Sequence, residues 1–306
     1  MSHTDFLEFR RSLGRTPALQ RMSARVRGVE LAVWTSPPVP HAPPLLLVNG
    51  GLLYDHALLW PALSPFAVAR QVILYDQRGR GASQAPPDPL AARIEDDADD
   101  ISALRRSLGI RQWDVLGHSW GGGIAMLGAA RDPAGTRRLV TVNAVGPSIS
   151  WMHELHTNAT ARVPESQREV LHQLYPALEQ PDPIVHGAYS RASYAAWFAD
   201  AEFAGHFVPP VAASVTGAAV AARLRREGYD WHESLRALST PALVLHGQED
   251  ALPATVATEL SQLLPRARLV LIPHAGHMPF WEAPRRFFSE VDAFLATGAP
   301  ALSRPT

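Results

Sequence analysis

The sequence predicts an α/β fold: a mostly parallel, doubly wound sheet with helices on both faces and an inserted helical segment. Two observations carry this reading. Short apolar runs alternate with amphipathic helical stretches up to about residue 145, and the same alternation resumes after about residue 239. Between them the rhythm fails. That segment is helical in character and rich in aromatics, among them Trp151, Tyr175, Tyr189, Trp197 and Trp231.

The elements follow in order. Residues 1–24 form a locally basic arm, expected to be amphipathic and to lie over the body. β-rich segments at 25–33 and 45–48 flank a proline-rich turn, and a third at 72–75 ends at Asp76 and enters the glycine loop 77–83. The next helix has acids in its first turns (Glu95, Asp96, Asp97, Asp99, Asp100), Arg105 and Arg106 in its last, and Gly109 after it. This is the charge order that a helix dipole favours, and the acids are expected to form a solvated helix start. A strand at 113–116, a helix at 121–131 and a strand at 139–143 complete the first part. After the insertion come strands at 242–246 and 269–272 and helices at 254–264 and 284–295, with Pro284 suited to a first turn. The expected organisation is an arm (1–24), a core (25–145 and 239–296), a helical cap (146–238) and a tail (297–306).

Composition removes much chemistry. All 28 Lys+Arg are arginine, and there is no cysteine. Thiolate nucleophiles, disulfides, cysteine–metal sites, lysine Schiff bases and a phosphate-loop lysine are therefore excluded. With 46% hydrophobic and 19% charged residues the chain reads as soluble and globular. A formal net charge of −1 gives no footprint for nucleic acid or an anionic membrane. No apolar signal run follows Met1, so a cytoplasmic protein with a small-molecule partner is expected.

The chemistry concentrates in four loops. Gly117-His118-Ser119-Trp120-Gly121 matches G-x-S-x-G between an apolar strand and a small-residue helix. Such a turn lifts a serine oxygen to the sheet edge, at a helix N-terminus where backbone N–H groups point outward. A serine hydroxyl needs a base and an orienting acid, and in this arrangement they follow in the order Ser, acid, His. Asp250 lies in the loop after strand 242–246, and His277 in the loop after strand 269–272. Glu249 is a rival acid and His274 a rival base. For the oxyanion, the donors expected are the N–H of Trp120 and that of Gly51, in the turn Asn49-Gly50-Gly51-Leu52.

These residues resemble the α/β-hydrolase superfamily over about residues 25–296. Within it, Asp76-Gln77-Arg78-Gly79-Arg80-Gly81-Ala82-Ser83 and Gly117-His118-Ser119-Trp120-Gly121-Gly122 are similar to the proline iminopeptidase branch. The resemblance implies a triad at Ser119, Asp250 and His277, oxyanion donors at Gly51 and Trp120, and no metal or cofactor. The branch usually reads H-G-G-P at the oxyanion turn, whereas Asn49 and Leu52 replace the His and Pro here. Arg78 reads as an ion-pairing residue of its loop. An aminopeptidase also needs an acid for the substrate amine, and Glu154, Asp200, Glu202 and Glu233 are the insertion's candidates. Trp151 and Trp197 are candidates to wall the pocket, with Glu154 and Glu202 as substrate-binding acids.

The function expected is a serine hydrolase acting on a small ester, lactone or amide, with an N-terminal prolyl substrate as one specific case. A triad-bearing small-molecule receptor without turnover, and a C–C bond hydrolase or lyase on the same fold, stay open. A serine at position 119 argues against the Asp-nucleophile dehalogenases and epoxide hydrolases. The spacing His153-Glu154-Leu155-His156 does not match the zinc-protease motif.

Overall fold

A computed structural model describes residues 3–296. Eight strands form one sheet: β1 (Gln20–Val26), β2 (Val29–Thr35), β3 (Leu45–Val48), β4 (Val72–Tyr75), β5 (Trp113–His118), β6 (Thr136–Val142), β7 (Ala242–Gly247) and β8 (Ala267–Ile272). Their spatial order is β1-β2-β4-β3-β5-β6-β7-β8. Only the β1–β2 and β2–β4 pairings are antiparallel. β3, β4, β5 and β7 are buried at every position, which is why β3 and β4 read as unbroken apolar runs, while β5 also buries Asp114 and His118 and β7 His246.

The segment expected as one strand at 25–33 is a hairpin. Arg27 and Gly28 both take positive φ, 45° and 87°, and fold β1 back on β2. Arg-Gly is a weaker turn signal than Asn-Gly, and apolar residues on both sides hide the break. β1 begins at Gln20, inside the stretch expected as arm. Before it, helix α1 (His3–Leu13) inserts Phe6 among Phe203, Phe207 and Trp281, with ring centroids 4.8, 5.6 and 6.3 Å away. The expected tail at 297–306 lies outside the described residues.

Helix α2 (Ile94–Ser107) packs on α3 (Trp120–Arg131). Its acids are not all solvated: Asp97 and Asp100 are buried. Arg80 Nη1 and Nη2 both reach Asp97, each at 2.9 Å, and Arg78 Nε donates to Asp100 at 2.8 Å. Burial outweighs the Arg80 contacts and pushes the Asp97 carboxyl up to about 6. Arg80 Nε also donates to the Leu52 carbonyl at 2.7 Å. The glycine loop after β4, the acidic helix and the turn after β3 are thereby tied into one buried ionic network.

Between β6 and β7 the chain is helical: α4 (Met152–Arg162), α5 (Glu165–Leu174), α6 (Pro183–Ser193), α7 (Ala201–Ala204), α8 (Val215–Glu227) and α9 (His232–Arg236). After β7 come α10 (Ala254–Leu263), α11 (Pro279–Glu282) and α12 (Pro284–Ala296). Helix α12 buries Phe287, Val291, Phe294 and Leu295, one face at helical spacing. No helix among the described residues is long and apolar enough to cross a membrane.

Replacing Arg80 by Met leaves Asp97 buried without its partner. The expected cost is roughly 3–5 kcal/mol in urea denaturation. Converting Asp97 to Asn in the same chain is expected to recover part of it. An Arg80→Met variant as stable as the parent would show that the network is dispensable.

Candidate active site

β3, β5, β6, β7 and β8 run parallel, so the turns that follow them gather at one sheet edge. At the end of β5 the backbone of Ser119 adopts φ 55° and ψ −123°, a strained conformation for a residue with a side chain. The turn is tight because β5 and α3 nearly touch. A Cβ on Gly117 would lie 2.2 Å from the Gly121 carbonyl oxygen. The turn after β3 presses equally close, since a Cβ on Gly50 would meet the Ser119 Cβ at 2.6 Å. Gly51 and Leu52 follow with φ of 77° and 55°.

Ser119, Gly51, Trp120, Asp250 and His277 all line one cavity of about 170 Å³. His277 Nδ1 donates to Asp250 Oδ2 at 2.7 Å, which leaves Nε2 with its lone pair. Asn143 Nδ2 donates to the same oxygen at 2.7 Å, and Leu252 N donates to Asp250 Oδ1 at 3.0 Å. Burial alone would raise the Asp250 carboxyl. The His277 imidazole, His246 and Asn143 together outweigh it and hold Asp250 below the ordinary carboxylate range. The rivals Glu249 and His274 face each other at 3.4 Å on the surface, and neither lines the cavity.

Three residues without an expected role complete the frame. Asn143, buried at φ 46° just after β6, also donates to the Gly276 carbonyl at 3.1 Å. His118 Nε2 donates to the His277 carbonyl at 2.9 Å. Burial, then the nearby His277, lowers His118 to about 3, so its ring stays neutral. Glu282 in α11 accepts from Gly276 N at 2.8 Å through one oxygen and from Ala199 N at 2.7 Å through the other. A polar Asn closing an apolar strand is a signal that sequence reading can use. His118 and Glu282 carry no comparable signal: the partner of His118 lies far along the chain, and Glu282 joins nearby Gly276 to distant Ala199.

The inserted helices supply the remaining wall. Trp151 and Trp197 line the cavity, whereas Glu154, Asp200, Glu202 and Glu233 are exposed and lie outside it. Trp151 Nε1 donates to Tyr229 Oη at 2.8 Å, and the Trp120 ring packs edge-on against both. The Trp197 carbonyl accepts from His277 N at 2.6 Å, and the two side-chain rings stand 5.6 Å apart.

Residues 43–284 match the alpha/beta hydrolase fold family, and the chain belongs to that family. It is 28% identical over 265 residues to a proline iminopeptidase of Lactobacillus delbrueckii subsp. lactis, covering 78% of this chain and 84% of that one. It is 31% identical over 235 residues to a 2-hydroxymuconate semialdehyde hydrolase of Pseudomonas putida, covering 74% and 77%. The crystal structure of proline iminopeptidase from Mycobacterium smegmatis superposes with a TM-score of 0.68 at 25% identity, over 90% of this chain and 97% of the other.

Burial raises Glu282 from 4.5 to about 7, against the pull of its two N–H donors. The folded state then holds an extra proton between those values. Its contribution to stability is full below the unfolded value and is lost as pH rises through the folded one. Glu282→Gln cannot ionise. The urea midpoint of this variant relative to the parent is expected to rise between about pH 5 and about pH 8. A flat difference contradicts the assignment.

Proposed function

We propose that the protein is a serine hydrolase that cleaves small esters or lactones through an acyl-enzyme. The observation that carries the reading is the shared cavity. Ser119 sits on a strained strand-to-helix turn, and the imidazole that lines the same space is fixed by a buried carboxylate at 2.7 Å. In the reaction, His277 Nε2 takes the proton of Ser119 Oγ as that oxygen bonds to the substrate carbonyl carbon. Asp250 keeps the tautomer and stabilises the imidazolium. The N–H groups of Gly51 and Trp120 receive the developing oxyanion. Collapse breaks the bond to the leaving alkoxide, which takes the proton from His277. Water, deprotonated by the same imidazole, then attacks the acyl carbon and regenerates Ser119.

The iminopeptidase relatives support amide cleavage at an N-terminal proline as a narrower version of this chemistry. The cavity wall favours the ester and lactone version. Among the described residues its one carboxylate is Asp250, already engaged by His277, Asn143 and the Leu252 N–H, which leaves no described wall acid for a substrate amine.

Treatment with a fluorophosphonate is expected to add one adduct by intact mass, placed on Ser119 by peptide mapping. Ser119→Ala is expected to abolish labelling and to lower kcat on p-nitrophenyl butyrate by about 10⁴-fold or more. Absence of labelling, with unchanged esterase activity in the variant, would refute the reading. Cleavage of prolyl naphthylamide faster than the ester would instead favour the aminopeptidase version.

A further inference from the structure

The cavity contains one charged side chain that this chemistry leaves unused. Arg225 lies in the last turn of α8. A cation there suits the helix dipole, so its position in the helix says nothing about a ligand. Its surroundings do. Arg225 lines the same cavity as Ser119 and His277. Its Nε is buried and has no hydrogen-bond partner. Glu227, the acid of the same turn, is engaged by Arg223 at 3.0 Å, and among the described residues no acid pairs with Arg225. The neighbouring Arg226 differs, being exposed and bonded to the Glu179 carbonyl at 2.8 Å.

The guanidinium is also held in place. Its central carbon stands 4.4 Å over the Tyr175 ring, which in turn stacks on His156 at 3.6 Å. A stacked guanidinium keeps its N–H edge available for a planar, two-point acceptor. The surrounding wall is largely apolar or neutral, with Leu155, Leu178 and Tyr189. Burial, followed by neighbouring charges, holds His156 at about 4, and burial likewise lowers His186, so both are neutral at pH 7. Among the described residues, this end of the cavity therefore presents a single positive charge with no protein anion paired to it. The guanidinium is half-buried with its Nε shielded from solvent, and a monoanionic ligand would supply the charge-assisted acceptor it lacks.

We propose that Arg225 is a substrate-binding residue that receives a carboxylate, and that the preferred substrates are monoanionic esters or lactones with a carboxylate away from the scissile bond. The proposal rests on the serine-hydrolase reading for its chemistry, but the anion site itself is separable from turnover. It reverses the charge logic of an amine-binding aminopeptidase, in which an acid would stand where this cavity has a cation.

The test compares matched esters. Wild-type kcat/KM is measured on p-nitrophenyl hemiglutarate and on its neutral methyl ester, which place the carboxylate on the acyl side. It is also measured on the butyryl ester of 4-hydroxybenzoate and on the corresponding methyl benzoate, which place it on the alcohol side. At least one anionic ester is expected to exceed its neutral partner by about tenfold, the discrimination of one good charge-assisted contact. Arg225→Met is expected to lower that ratio by about tenfold or more, and Arg225→Lys to restore part of it. The ratio is internal to each variant, so partial loss of folded protein does not disturb it. In parallel, glutarate is expected to raise the thermal midpoint of Ser119→Ala but not of Ser119→Ala/Arg225→Met. Preference for the neutral member of both pairs, or ratios indifferent to Arg225, overturns the proposal even if esters are cleaved. If no ester is cleaved while glutarate still binds through Arg225, the hydrolase reading falls and the anion site stands.

Discussion

Everything at the sheet edge depends on how closely β5 and α3 approach at Ser119. With no side chain on Gly117 or Gly121, the strand reverses into the helix within one residue, and Ser119 takes up the strain in its own backbone. The turn after β3 can then press against the same point, where Gly50 leaves no room for a Cβ. A larger residue at Gly50 or Gly121 would push the turn after β3 away from the turn at Ser119, and one at Gly117 would push β5 away from α3. The constraint is steric before it is chemical, and it places the groups before any substrate arrives.

A second layer of organisation is ionic. Without lysine, every fixed side-chain cation is a planar guanidinium, and two of these, Arg78 and Arg80, are buried against Asp100 and Asp97. Planar two-point pairing lets such groups satisfy several acceptors in a confined space. Arg80 uses that capacity to hold the Leu52 carbonyl as well as Asp97, so the network on α2 reaches the turn that flanks the proposed nucleophile. Arg225 has the same chemistry, and among the described residues no acid pairs with it.

Much of the fold was legible because its strands are buried on both faces and its helices carry clear end signals. The three residues proposed for the reaction were also legible, since each follows its own strand and the strand order brings their loops together. What sequence could not show was pairing across distance. The acids of α2 looked like a solvated helix start because nothing local reveals that Arg78 and Arg80 fold back onto Asp97 and Asp100. Asn143 and Glu282 bond loops that lie more than a hundred and only a few residues away respectively, but each contact depends on tertiary placement. The acids named in the insertion, Glu154 and Glu202, lie exposed and outside the cavity, and the reason is complementary. Helical segments contain many carboxylates, and composition does not say which face looks inward.

The contacts of Glu282 have a mechanical consequence. One of its oxygens holds the loop that carries His277 and the other holds Ala199, while the Trp197 carbonyl takes the His277 N–H directly. The wall around Trp197 and the imidazole are thus riveted together and travel as one piece. Any breathing of the inserted helices that widened the chamber on that side would also shift His277. Passage of substrate and product without disturbing the imidazole therefore has to use the part of the wall that carries no such rivet.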